Sequence, residues 1–211
     1  MSPESVTEKR FEEHIEKELN SLNYSSRDYK DYDKELLLIK DEVIDFLKNT
    51  QPQKWNKLND SYGIDTEKKV LQRISSEISK RGMIDVLRNQ VADRGVYLDL
   101  CYFQPKSDLN PDLQKLYSFN KFTLVRQLHY STEYENSIDI VLFLNGLPIL
   151  TMELKNKATG QNYKHAEYQY KNDRDPNEPF LRFKRCMVHF CVDKHNVSMT
   201  TRLSGRKTFF L

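Results

Sequence analysis

"NSIDIVLFLNGLPILTMELKN", residues 136–156, decides how this chain folds. Two apolar runs flank an Asn145-Gly146 pair, the strongest short-range signal of a β-hairpin. Each run carries charge where a core strand has none. Asp139 interrupts the first, and Glu153 and Lys155 interrupt the second. Alternate residues of a strand face opposite sides. Ile138, Ile140, Leu142 and Leu144 therefore share an apolar face with Leu150, Met152 and Leu154. Asp139, Thr151, Glu153 and Lys155 share the other face.

That arrangement puts a condition on the loop. Directly opposed residues of an antiparallel pair lie on one face. A two-residue turn at Asn145-Gly146 with unbroken pairing opposes Asp139 with Met152, mixing charge and core. A three-residue loop with a G1 bulge, or a five-residue loop, opposes Asp139 with Glu153. The expectation is an odd-length loop or an equivalent bulge.

In that register two carboxylates and an ammonium meet. Opposed carboxylates repel unless a cation lies between them. Mg²⁺ commonly takes one or two carboxylates plus water and phosphate. Lys155, two residues after Glu153, points to the same place and can orient a water or balance charge on a phosphate. The set suits metal-assisted phosphodiester hydrolysis. The plain alternative is a pair of surface-strand charges in which Glu153 and Lys155 balance each other.

Working outward, residues 7–24 read as a helix with Phe11, Ile15, Leu19 and Leu22 on one face. Glu8 falls near the centre of that face on a helical wheel, and Glu12 on its flank. Residues 29–50 read as a second helix with Pro52 beyond it, 59–63 as a turn, and 66–82 as a third helix with Thr66 as N-cap and Gly82 at its end. A short helix over 82–95 precedes a strand at 96–103. A polar loop at 105–120, with room for a helical turn, leads to a strand at 121–131 and then the hairpin. A helix over 160–175 and two strands, 186–193 and 197–201, complete the chain. Helices, then strands, one helix, then strands make an α/β fold with a mixed sheet.

At 211 residues, 38% hydrophobic and 30% charged, the chain suits one domain. An 11% aromatic share argues against disorder. No apolar run approaches the roughly 20 residues of a membrane span, and the charged N-terminus has no signal core. Cys101, Cys186 and Cys191 lack a CxxC spacing, which suggests reduced thiols in a cytoplasmic protein. Net charge is +2. Residues 1–60 hold 14 acids and 10 bases, and residues 155–207 hold 12 bases and 5 acids. The C-terminal part can thus face a polyanion, or be ordinary solvated surface.

Asp139 with "ELK" (Glu153-Leu154-Lys155) resembles the PD-(D/E)xK nuclease superfamily. "VRQLHYS" at 125–131, the hairpin, "TGQNYKHAEYQYKNDRDP" at 159–176, "MTTRLSGRKTFFL" at 199–211 and "FLKNTQPQKWNKLNDSYG" at 46–63 together resemble the N-terminal endonuclease region of type I restriction enzyme R subunits. The resemblance covers essentially the whole chain. It implies a restriction-endonuclease-like core, a central mixed β-sheet flanked by helices (about 96–211) preceded by a mainly helical part (about 1–95), in one domain spanning 1–211. It implies double-stranded DNA as substrate and Mg²⁺ as cofactor. It implies methyltransferase and specificity subunits as partners, with ATP used by motor domains of the same subunit. No G-x-x-x-x-G-K-[ST] occurs here, and "SGRKT" lacks the first glycine. The chain thus looks like a fragment that carries the nuclease part alone.

By the same resemblance, Asp139 and Glu153 are metal ligands, with the Leu154 carbonyl a third, and Lys155 is the catalytic lysine. Gln169 matches the glutamine of the family's Gln-x-x-x-Tyr element. Asp173 stands where the tyrosine is expected, and Tyr170 adjoins Gln169 instead. An acid on the first helix often serves such sites, and Glu8 fits it better than Glu12. Arg126 and Gln127 can hold the site or touch phosphate. Lys157, Lys164, Lys171 and Arg174 are candidate phosphate contacts, and His165 a candidate DNA contact. His129, His189 and His195 have no metal spacing, and Trp55 reads as core. Two other functions fit the residues: a repair nuclease of the same superfamily, and a docking module for the methyltransferase core or motor.

Overall fold

The computed structural model describes residues 3–107, 109–156 and 160–211, with side chains from Lys9 onward. Its centre is a six-stranded mixed sheet in the order β1-β4-β5-β6-β7-β8. The strands are β1 (Ser25–Arg27), β4 (Phe122–His129), β5 (Ser137–Leu144), β6 (Leu147–Leu154), β7 (Val188–Val192) and β8 (Val197–Thr200). β4, β5 and β6 are antiparallel neighbours. β6 and β7 run parallel, so their connection must cross over, and helix α7 (Tyr163–Asn172) makes the crossing. β2 (Val91–Asp93) and β3 (Val96–Leu98) form a separate small ribbon.

Two apolar clusters cover the two faces of the sheet. One joins Ile140, Leu142 and Leu144 to the helices α2 (Lys40–Thr50), α3 (Pro52–Tyr62), α4 (Thr66–Arg81) and α5 (Met83–Asn89). The other joins Val141 and Phe143 to Ala166 and Tyr170 of α7 and to Phe180 and Leu203. The odd face of β5 is thus apolar too, and Asp139 is its polar exception. Ile138 packs in the second cluster with Leu128, away from Ile140. The alternation breaks at Asp139, where the neighbouring strand residue Gln127 has a left-handed backbone (φ 48°). Among the described residues no helix is long and apolar enough to cross a membrane, and the three cysteines are free and buried.

The hairpin has a tight turn and a bulge. Leu144 pairs with Leu147 and Phe143 with Pro148, and the register then shifts so that Leu142 pairs with Leu150. Ile149 is the extra residue. The two-residue turn, with φ 51° at Asn145 and 79° at Gly146, has the sign pattern of a type I′ turn. The bulge supplies the odd count that the charges require. Past it, Val141 pairs with Thr151 and Ile140 with Met152, where the pairing ends, one residue short of Asp139 and Glu153. Pro148 explains the place of the bulge, since a residue with no N–H disrupts a central strand.

Elsewhere the boundaries move. Tyr29–Asp31 is only a 3₁₀ turn, and the second helix begins at Lys40. Leu36, Leu37 and Leu38 lie in a loop, Leu37 with φ 60°. Arg185 is buried and donates to the carbonyls of Leu36 and Leu37 at 3.0 and 2.9 Å. The expected turn at 59–63 is largely the end of α3. Thr66 opens α4 from inside, donating to the Gly63 carbonyl at 2.6 Å, and Gly82 ends that helix with φ 93°. Residues 96–103 are strand only to Leu98, and Pro111–Ser118 forms helix α6. Leu22 lies past the end of α1 (Pro3–Ser21), exposed. Trp55 is core.

Candidate functional site

The polar cluster lies at the open end of the hairpin, where β5 and β6 separate. Glu153 is 0% exposed. Its Oε1 accepts from Arg174 Nε and Nη2, both at 2.9 Å, and its Oε2 is buried with no hydrogen-bond partner. Asp139 Oδ2 accepts from the Leu154 backbone N–H at 2.7 Å, and Oδ1 accepts from Gln127 Nε2 at 3.1 Å. The Asp139 carboxylate thus ties the two strands where their backbone pairing stops.

Helix α1 brings in a third carboxylate. Glu12, 5% exposed, accepts from Gln127 Nε2 at 2.8 Å and from Arg126 Nε at 3.2 Å. Arg126 also donates to Glu16 at 2.9 Å. Phe11, Ile15 and Leu19 pack against the first cluster, which turns the neighbouring Glu12 inward. Glu12 is therefore a first-helix acid that reaches Asp139's surroundings. The Glu8 side chain lies outside the described residues. Gln127 bridges Glu12 and Asp139 with one amide nitrogen, and its Oε1 accepts from Ser137 Oγ at 2.8 Å. A left-handed backbone at a non-glycine residue costs about 1–2 kcal/mol, so its environment holds it there.

Burial, and after it the Asp139 charge, pushes the Glu153 carboxyl well up, against the pull of Arg174. Burial works against the Arg174 charge, but Glu153 and its neighbours outweigh it and raise the guanidinium. The two tendencies conflict. The upward shift of Glu153 prevails, because complete burial and a second acid act on it together. Burial and Asp139 also raise Glu12. The Asp139 charge thus opposes the ionisation of both Glu12 and Glu153, and one buried Glu153 oxygen is unsatisfied. Carboxylate oxygens are the donors that a hard cation takes, but among the described residues no group of three or more His, Cys, Asp or Glu is placed to hold one.

Lys155 follows Glu153 and is half-buried. Its backbone N–H donates to the Val192 carbonyl at 2.8 Å, and its charge draws the Glu153 carboxyl downward. With Phe11, His14, Glu18 and Asp193 it lines a cleft of about 590 Å³ between α1 and the β6–β7 end of the sheet. Gln169 lies half-buried on α7. Tyr170 does not join the cluster's hydrogen bonds. It is 0% exposed and shares a 2.7 Å hydrogen bond with Thr151 Oγ1, which in turn meets His189 Nδ1 at 2.8 Å.

Several candidate DNA contacts have other partners. Arg174 is 8% exposed and committed to Glu153. Lys171 lies 3.5 Å from Glu167 and over the Phe210 ring. His165 completes a capping box with Asn162 at the start of α7. Lys164 remains exposed, and Lys157 lies outside the described residues. His189 is buried, which pushes its imidazole down to about 4 and suits it to structure. The role of Arg174 was hidden because its partner lies 21 residues away and its neighbours, Asp173 and Asp175, suggest an exposed loop. The signal for Gln127 was legible, as a polar pair inside an apolar strand.

The fold and this cluster define a class: a mixed α/β domain that gathers carboxylates at the open end of a central hairpin. The family model described as the type I restriction enzyme R protein N terminus matches residues 5–208. The chain belongs to that family. A comparison with curated proteins gives no match.

Proposed function

We propose that this chain is a Mg²⁺-dependent DNA endonuclease domain of the PD-(D/E)xK kind, acting in a type I restriction R subunit. One observation carries the reading. Glu153 Oε2 is a buried oxygen without a partner, on the strand next to Asp139. Asp139 and Glu153, with the Leu154 carbonyl, would hold the ion. When bound, it polarises the scissile phosphate and makes a water acidic enough to attack. Lys155 extends from the same strand end, where its ammonium orients that water and balances charge on the phosphate. Gln127 fixes Asp139 Oδ1 and links it to Glu12. Gln169 supports the site from α7. Double-stranded DNA is the substrate, reached through the cleft beside Lys155. ATP is used by motor domains of the full-length subunit, and methyltransferase and specificity subunits provide recognition.

The pH dependence tests this. Glu153 and Glu12 have carboxyls raised above the ordinary 4.5. Between that value and the raised ones, the metal-free fold binds more protons than the unfolded chain. The contribution of these two groups to its stability is therefore greatest below 4.5 and is lost as pH rises through the raised values. A cation that needs the carboxylates offsets this loss and releases protons on binding. The melting temperature gained on adding Mn²⁺ should widen from pH 5 to pH 8, and Asp139→Ala should gain nothing. A gain that is flat with pH, or equal in the variant, would refute the reading.

A further inference from the structure

We propose that Arg174 is a positioning residue that sets the separation of Asp139 and Glu153 at the open end of the β5–β6 hairpin. The inference rests on the reading of those two acids as metal ligands. The backbone pairs of β5 and β6 run from Leu144–Leu147 to Ile140–Met152 and stop there. From Glu153 onward β6 is paired on its other edge, Glu153 with Cys191 and Leu154 with Val192. The two carboxylates therefore sit where no backbone ladder fixes one strand against the other. Side chains do it instead. Arg174 Nη2 donates to the Ser137 carbonyl at 2.7 Å, two residues before Asp139, while Nε and Nη2 hold Glu153 Oε1.

A planar guanidinium fixes both strands through one rigid group, which a lysine ammonium cannot do. Both contacts to Glu153 use Oε1 and leave Oε2 unpartnered, so the clamp and a metal ion do not compete for one oxygen. Arg174 lies just past the end of α7, and Tyr170 docks that helix on β6 through Thr151.

Calorimetric titration of Mn²⁺ into the full 211-residue chain tests this with Arg174→Lys, Arg174→Gln and Tyr170→Phe. Groups that orient metal ligands typically change affinity about 10–100-fold. Arg174→Lys and Arg174→Gln, melting cooperatively, should bind Mn²⁺ at least about tenfold more weakly than wild type. Tyr170→Phe should lower the melting temperature yet bind within about twofold, since it loosens the core without touching either acid. Folded Arg174 variants that bind within about twofold of wild type would overturn the proposal. Should neither fold, a Mn²⁺-bound structure of the wild type decides: Arg174 still on Oε1 supports the clamp, and Arg174 displaced from Glu153 overturns it. A wild type that titrates no differently from Asp139→Ala would overturn the metal reading itself, and the clamp with it.

Discussion

In the complete restriction complex, Asp139→Asn should abolish DNA cleavage and leave ATP hydrolysis unchanged. The expected loss is at least about a thousandfold, or about 4 kcal/mol of transition-state stabilisation. Asparagine separates chemistry from folding. Asp139 Oδ2 accepts from the buried Leu154 N–H at 2.7 Å, and an alanine would leave that donor unsatisfied at a cost of about 1–3 kcal/mol. The asparagine carbonyl oxygen can still accept there, although its Nδ2 then faces the Gln127 Nε2 donor, and the charge that the proposed metal needs is gone. Asp139→Asn should therefore cut nothing and melt above Asp139→Ala, which should also cut nothing. Lys155→Ala should likewise lose cleavage. Asp139→Asn that cuts at the wild-type rate would remove Asp139 from the reaction.

Gly146→Ala should destabilise the protein by at least about 3 kcal/mol, far more than Gly95→Ala. Both glycines have nearly the same backbone, φ +79° and +76°, so the left-handed penalty of about 1 kcal/mol is common to both. Their surroundings differ. A Cβ on Gly95 meets nothing within 4 Å, while one on Gly146 meets the Ile39 carbonyl oxygen at 2.4 Å and Val43 Cγ2 at 2.9 Å. The first of these is backbone and cannot rotate away. Gly146 also accepts from the Ile39 N–H at 2.9 Å, so the clash strikes where the hairpin tip docks on the helical half. For a chain of this size, a shift of about 2–4 °C per kcal/mol predicts a drop of roughly 3 °C for Gly95→Ala and about 10 °C for Gly146→Ala. Equal drops would mean that the tip is not held as described.

The hairpin was legible because its two demands were local: apolar alternation and charges at matched positions. Together they required an odd count of residues between the paired strands. They left open whether loop or bulge would supply it; the structure answers with a bulge, beside Pro148, whose missing N–H disrupts the ladder. Residues 36–39 misled for a physical reason. Leu36, Leu37, Leu38 and Ile39 look like the start of a helix, yet the loop is held by Arg185, 148 residues beyond Leu37. β1 was invisible because "SSR" has no apolar pattern, and it forms only by adding to the edge of β4. In the site, Asp139 and Glu153 follow from register, whereas the hold of Arg174 on Glu153 and of Gln127 on Glu12 follows from tertiary packing. Glu12 outranks its flank position on the wheel because β4 presents Arg126 and Gln127 to it.

A crystal of the chain soaked in Mn²⁺ and read by anomalous diffraction tests the central claim most directly. One anomalous peak is expected between Asp139 and Glu153, within about 2.3 Å of Glu153 Oε2, with Arg174 still on Oε1. A peak elsewhere, or none at saturating Mn²⁺ with Glu153 bound to Arg174 alone, would contradict the account.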